Sequence, residues 1–348
     1  MNRYLLLVMS LLASPVAFSQ GPNDTGTYYQ AADGQKGAAL KTALFQIIGP
    51  HQVLSYTPGV WEAINTYDLR EDGKIWDIYS GISNFTPKAD QDKGEEIDQE
   101  GVVYNREHAV PKSWFNEDKT DTNYPMYTDL HHLFPTDRSV NSMRSNYPYG
   151  EVDKSLKPTK ESDGGFSKFG ICDPAIGYTS KSGKPRVFEP NDEYKGDLAR
   201  VFFYMATAYE SYKNGFGKER SPKNWTSDMF TSDVYPFFTE WALKMLLRWS
   251  QQDPVSEKEI KRNEGIYGFQ ENRNPFVDYP GLEQYIWGSA TDVAFSYDNY
   301  SEPISTGIRE LRCEQAPADD AVYNLSGQRV SKPTKGLYLR RGKKYLVK

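Results

Sequence analysis

Three of the four histidines in this 348-residue chain lie close together, His108 in "YNREHAVPKSWF" and His131 and His132 in "DLHHLFPTDRSVNSMRSN". Glu107, Arg106, Asp137, Arg138, Asn141 and Arg144 stand around them. An imidazole can take a proton from water, and a carboxylate with an amide oxygen can hold a hard divalent cation that keeps several waters. Hydrolysis of a phosphodiester needs both, a base for the water and positive charge at the phosphoryl and departing oxygens. Spacing alone leaves two other readings open: histidines that only fill a core, and a zinc site of His108, His131 and His132. Asn141 argues against zinc, because an amide oxygen is a poor ligand for it.

The elements that must position these groups are short. "VVYNREH" alternates as a strand does and ends at Pro111, which puts Glu107 and His108 at the strand end. "DLHHLFP" reads as a second strand stopped by Pro135. "TDRSVNSMRSN" reads as a helix with Thr136 or Asp137 as its N-cap, ending before Pro148. Asp137, Asn141 and Arg144 then share one helix face. The result is a β–β–α unit with a base on its first strand and a ligand on its helix.

The rest of the chain supplies a mostly helical frame. "AALKTALFQIIG", "GVWEAINTYDL", "EYKGDLARVFFYMATAYESY", "YPFFTEWALKMLLRWSQQDP" and "SEKEIKRNEGIYGFQ" read as helices, the last opened by a Ser256–Glu259 capping box. "KIWDIYS" reads as a strand, and residues 150–190 as a long excursion with short strands. Residues 1–19 read as a signal peptide, with Ala17 and Ser19 before the cleavage point. No later segment is apolar for long enough to span a membrane, so an exported protein is expected. Cys172 and Cys313, the only cysteines, can form at most one disulfide.

Without the leader, which holds Arg3, 40 basic and 47 acidic residues remain, a formal charge of −7. Tight polyanion binding through bulk charge is thereby excluded, and a nucleic acid must be held by a local groove or a metal. Residues 291–320 read as a linker, after a main domain at 20–290. Residues 321–348 read as a small β unit with turns at Ser326–Gly327 and Arg341–Gly342, carrying eight basic residues and no acidic one.

"YNREHAVPKSWF", "DLHHLFPTDRSVNSMRSNYPYGEV", "FEPNDEYKGDLARVFFYM", "DPVSEKEIKRNEGIYGFQENRNPFVDYP" and "IWG" resemble the endonuclease I family of secreted bacterial nucleases, in the family's order from about Trp61 to Trp287. The resemblance implies an α+β fold with a ββα-metal (His-Me finger) core. It implies a Mg²⁺-dependent endonuclease, with Mn²⁺ or Ca²⁺ as possible substitutes, acting on DNA and possibly on RNA. His108 would match the general base, and Glu107 and Asn141 the metal ligands. It also implies an arginine that steadies the phosphate, for which helix geometry selects Arg144, with Arg106 and Arg138 as rivals. His131 or His132 would orient the phosphate or the base, or brace the strands. "YNLSGQRV" and "KGLYLRRGKKYLVK" resemble the sorting domains of type IX secretion, which implies contact with that machinery. The readings set against these are the zinc hydrolase and a secreted nucleic-acid-binding protein without turnover.

Overall fold

The computed structural model describes residues 21–94, 99–115, 125–153, 160–180, 183–210, 227–303, 322–323, 336–340 and 343–347. The expected leader, Cys313, most of the expected linker and both turns expected in the tail lie outside them. Two compact units divide the chain, residues 1–303 and 304–348. The expected linker does not open at 291. Phe295 is buried, its N–H donates to Gln35 O and its carbonyl accepts from Gly34, which fastens this stretch to the first unit.

In the first unit the order is α1 (Gly37–Ile48), α2 (Gly59–Tyr67), β1 (Tyr104–His108), α3 (Lys112–Phe115), β2 (Leu133–Asp137) and α4 (Arg138–Arg144). There follow β3 (Lys160–Glu161), β4 (Lys168–Ile171) and β5 (Arg186–Glu189), then α5 (Lys195–Ala208), α6 (Glu240–Gln252), α7 (Glu257–Gln270), α8 (Pro275–Asp278) and α9 (Leu282–Ile286). The β strands form two small antiparallel sheets, β1–β2 and β3–β4–β5. The mixture of helices with small sheets is α+β.

Helix α5 is buried at every residue and packs on α1, α6 and α8. A helix buried all round needs apolar residues on every face, and "LARVFFYMATA" supplies them. Its first turn comes close to the chain after α6. A Cβ on Gly196 would fall 1.9 Å from Asp253 O, so only glycine fits there. Arg200 on α5 grips Glu259 on α7 through two bonds of 2.6 and 2.7 Å. From α7, Arg262 bonds Asp68 and the carbonyls of Leu130 and Leu133, fixing the entry to β2. The Ser256–Glu259 capping box forms as the sequence suggests.

Two expectations give way to local side-chain bonding. "KIWDIYS" is not a strand: Ile75 makes one isolated bridge to Leu69, and Asp77 Oδ1 then accepts from the N–H groups of Tyr79 and Ser80. That Asx-type turn competes with a sheet ladder and wins. In "DLHHLFP", Asp129 caps a 3₁₀ turn over Leu130–His132 by accepting from His131 N. Strand β2 therefore begins at Leu133 and runs through Pro135, which is tolerated because β2 has β1 as its single neighbour.

The second unit holds a three-stranded antiparallel sheet of β6 (Val322–Tyr323), β7 (Gly336–Arg340) and β8 (Lys343–Val347). Among the described residues, no helix is long and apolar enough to cross a membrane.

Candidate active site

Strands β1 and β2 pair with Tyr104 opposite Asp137, Glu107 opposite Phe134 and His108 opposite Leu133. Helix α4 starts at once after β2, with Asp137 as its cap accepting from Val140 N. The other Asp137 oxygen accepts from Gly101 N, so this residue ties the approach to β1 to the helix start. Side chains alternate along β1. Asn105 and Glu107 face one way, toward Asn141 and Arg144 of α4, while Arg106 and His108 both meet Tyr56 on the other.

On the α4 side Glu107 is 3% exposed. Its Oε1 accepts from Tyr79 Oη at 2.9 Å and forms an ion pair with Arg144 Nη1 at 3.0 Å. Tyr79 also bonds Tyr149. Asn141 hydrogen-bonds Glu107 and donates from Nδ2 to Asn105 Oδ1 at 2.8 Å. Burial pushes the Glu107 carboxyl up to about 7, against the opposing pull of Arg144 and of its hydrogen bonds. Arg144 is 1% exposed, and its guanidinium also reaches the carbonyls of His108, Ala109 and Ser145. Arg144 is one of three arginines, with Arg106 and Arg138, that the resemblance offers for the phosphate. Its position is that of a buried brace between Glu107 and the end of β1.

On the opposite side His108 sits in an aromatic box. Its ring lies 6.0 Å from Tyr56 in a stacked arrangement, 5.1 Å from Tyr127 and 5.3 Å from His132, with Phe115 beyond. His108 Nε2 lies 2.9 Å from Tyr127 O. A carbonyl can only accept, so Nε2 carries the hydrogen and Nδ1 the lone pair. Burial, with help from nearby cationic groups, holds the ring well below the usual histidine range, so it is neutral at pH 7. A neutral imidazole with a fixed tautomer is the form a general base requires.

The other two histidines are buried and separate. His132 donates from Nε2 to Met126 O at 2.5 Å and packs edge-on to His108. His131 turns into the helical body, 4.3 Å from the Tyr204 ring, with Nε2 directed at Asn272 O. Asp129 beside it accepts from Tyr204, Tyr209 and Gln270. The three imidazoles therefore do not turn their lone pairs on one point. Among the described residues no three His, Cys, Asp or Glu side chains converge as a metal cage, and the zinc centre weighed above does not assemble.

The donor set does suit a hard cation. A carboxylate and an amide lie side by side, and Tyr79 and Arg144 both bond one carboxylate oxygen, leaving the second unused by either. A carboxyl whose ionisation is held back by burial also gains from a cation that replaces the proton. The third arginine considered, Arg138, pairs with Asp92 at 3.5 Å. Tyr79, Tyr149, Tyr56 and Tyr127 are site residues that the motif reading did not single out. Tyr149 alone stood inside a recognisable block, and tyrosine in a tyrosine-rich chain carries little signal.

Comparison with known proteins gives this geometry its context. Residues 36–281 match the family model described as Endonuclease I. An "Extracellular ribonuclease" of Bacillus amyloliquefaciens is 35% identical over 298 residues, covering 82% of this chain and 89% of that protein. An "Endonuclease-1" of Buchnera aphidicola is 27% identical over 49% of this chain and 58% of that protein. An "Extracellular deoxyribonuclease" of Aeromonas hydrophila is 24% identical over 46% of this chain and 53% of that protein. With a family model along most of its length and a relative above 30% identity across nearly all of its own, the chain belongs to the endonuclease I family and is a nuclease that hydrolyses phosphodiester bonds.

Proposed function

We propose that the protein is a secreted endonuclease of ββα-metal type, dependent on Mg²⁺ with Mn²⁺ or Ca²⁺ as substitutes, that cuts DNA and RNA with little sequence preference. Strands β1 and β2 with helix α4 form the metal-nuclease core. His108 Nδ1 takes the proton from the attacking water, while its Nε2 hydrogen bond to Tyr127 keeps the ring in the required tautomer. Glu107 and Asn141 would hold the cation on the α4 side of the same strand end, so that the scissile phosphate would lie across the end of β1, between cation and base. When bound, Mg²⁺ supplies charge neutralisation at the phosphoryl group and at the departing 3′ oxygen. Arg144 fixes the carboxylate from behind. Low sequence preference follows from chemistry directed at the backbone, which carries no base information.

The observation that carries the reading is the neutral, singly tethered His108 at the end of the strand that also presents Glu107 to Asn141. Action on both nucleic acids is supported by relatives named as a ribonuclease and as a deoxyribonuclease. Export is supported by their "extracellular" names and by the leader-like residues 1–19. Digestion of a plasmid and of a labelled RNA, with and without EDTA, tests the assignment. His108→Ala is expected to lower the rate by about 10²–10⁴, measured at a temperature where circular dichroism shows the variant folded. Full activity in that variant, or activity indifferent to chelation, overturns the mechanism.

Residues 321–348 are proposed to serve as a type IX sorting domain, supported by their basic, acid-free sequence and the small antiparallel sheet described within them. Deleting residues 321–348 should leave the purified enzyme's activity intact and retain the protein inside a host that has that machinery. Unchanged release into the medium would refute the sorting role.

A further inference from the structure

The His108 side of β1 carries two cations that rest on aromatic rings. The Arg106 guanidinium lies 3.4 Å from the Tyr56 ring centre and 4.3 Å from that of Trp61. Its Nη1 donates to Tyr56 O and Thr57 Oγ1. Lys112 Nζ lies 5.7 Å over the Tyr127 ring. Tyr56 and Tyr127 touch each other edge to face at 4.8 Å, and each touches His108. Among the described residues neither cation has a carboxylate partner. The other two arginines of the strand–strand–helix unit both do: Arg138 has Asp92 and Arg144 has Glu107.

Cations on aromatic faces keep their charge while their direction is fixed. Two rings lie against the Arg106 guanidinium and its Nη1 is bonded to Tyr56 and Thr57, so the Nε and Nη2 N–H edge is the part available to an acceptor, and a guanidinium edge matches a phosphate. Arg106 is two residues before His108 on an extended strand, roughly 6.6 Å along it, a separation on the scale of one nucleotide step. We infer that Arg106 and Lys112 form a subsite for the backbone phosphates that flank the scissile one, on either side of His108, with Tyr56 as the positioning residue shared by Arg106 and the base. This deepens the nuclease reading and rests on it. It also explains how a chain with formal charge −6 holds a polyanion, since the charge needed is local.

The test uses the full chain carrying His108→Ala in EDTA, so that binding is read without cleavage and without a metal. Affinity for a single-stranded oligonucleotide is measured from low to moderate salt. Arg106→Gln and Lys112→Gln should each reduce the salt-dependence slope by about 0.7, the contribution of one phosphate on a single strand. A tetranucleotide, whose three linkages can fill the scissile and two flanking positions in one register, should with one uncharged methylphosphonate at the flanking linkage assigned to Arg106 bind the parent about as weakly as the normal tetranucleotide binds the Arg106→Gln protein. It should lose nothing further with that variant. In the otherwise intact enzyme, Tyr56→Leu should raise KM and lower kcat together, and Tyr56→Phe should restore both. An unchanged salt slope in the Arg106→Gln, Lys112→Gln double variant overturns the subsite, and so does methylphosphonate sensitivity that persists undiminished in it. Failure of the nuclease mechanism would show instead as cleavage by the His108→Ala protein, which this binding experiment does not depend on.

Discussion

The two faces of β1 follow opposite electrostatic plans. On the α4 face the charges are buried and matched: Glu107 meets Arg144, Tyr79 bonds the same carboxylate, and the guanidinium is bonded to backbone carbonyls as well. On the other face His108 is neutral, its neighbours are aromatic rings, and Arg106 and Lys112 lack an acidic partner among the described residues. Alternation along one strand separates a face whose carboxylate has a guanidinium partner within the fold from a face whose cations have no carboxylate partner among the described residues. Removing a charge should therefore have different consequences on the two sides.

The largest expected difference is in stability. Arg144→Met leaves Glu107 buried without its cation and should cost about 3–5 kcal/mol in urea unfolding, the range for breaking a buried pair from one side. Adding Glu107→Gln should recover most of that loss without restoring activity. Arg106→Met removes a half-buried cation on aromatic faces and its bonds to Tyr56 O and Thr57 Oγ1, with no carboxylate left unpaired, and should cost about 1–2 kcal/mol. Equal costs for the two arginines would break the contrast.

The second difference is in the sign of the pH dependence. Burial lowers all three of His108, His131 and His132, with His131 pushed down to about 3. A lowered folded-state value means that the unfolded chain binds protons first. Their stabilisation is present above about pH 6.5 and is lost as pH falls, and for His131 the loss runs toward pH 3 at about 1.4 kcal/mol per pH unit. Glu107 is raised from 4.5 to about 7. In cation-free protein its contribution is present below pH 4.5 and is lost as pH rises through 7. Unfolding measured from pH 4 to 8 should show His131→Gln flattening the acid limb and Glu107→Gln flattening the alkaline limb. A Glu107→Gln variant with an unaltered alkaline limb would show that the α4 face is not under this strain.

How much of this the sequence discloses depends on whether a residue acts through its place in a regular element. His108 and Glu107 at the end of a strand, Asp137 as a cap, and Asn141 with Arg144 on one helix face are legible, because period and capping rules place them. The helices α1, α2, α5 and α7 are legible for the same reason. The misread segments are those where an aspartate side chain bonds the backbone locally, Asp77 in "KIWDIYS" and Asp129 in "DLHHL". Neither turn changes the hydrophobic pattern on which a strand assignment rests. Arg144 was legible as a site residue but not as a brace, since its orientation depends on Glu107 and on carbonyls brought near by tertiary packing. Tyr56 and Tyr127 are remote in sequence from His108 and belong to no periodic element, so only folding reveals them. The zinc alternative failed on a similar point, for adjacent residues in a 3₁₀ turn send His131 and His132 to different neighbours.

The smallest expected effect tests how far the order of the α4 face extends beyond its charges. Asn105 is half-buried, and its Oδ1 accepts from Asn141 Nδ2. The Asn141 amide also donates to the Glu107 carboxylate, so it is held between two partners on β1. If Asn141 and Glu107 bind the cation, Asn105 acts one step behind them by fixing which way the amide points. Partners of this kind usually change metal affinity by 10–100-fold. Because Asn141 keeps its bond to Glu107, Asn105→Ala should fall at the lower end, a roughly tenfold weaker Mn²⁺ affinity by calorimetry. The stability cost should be about 1 kcal/mol, that of one hydrogen bond. Asn105→Asp keeps the acceptor and should restore most of the affinity. The measurement belongs above pH 7, where Glu107 is ionised and no proton competes with the cation. Unchanged affinity in Asn105→Ala would mean that Asn141 is oriented by Glu107 alone, and the organised part of this face would then end at the Glu107–Arg144 pair.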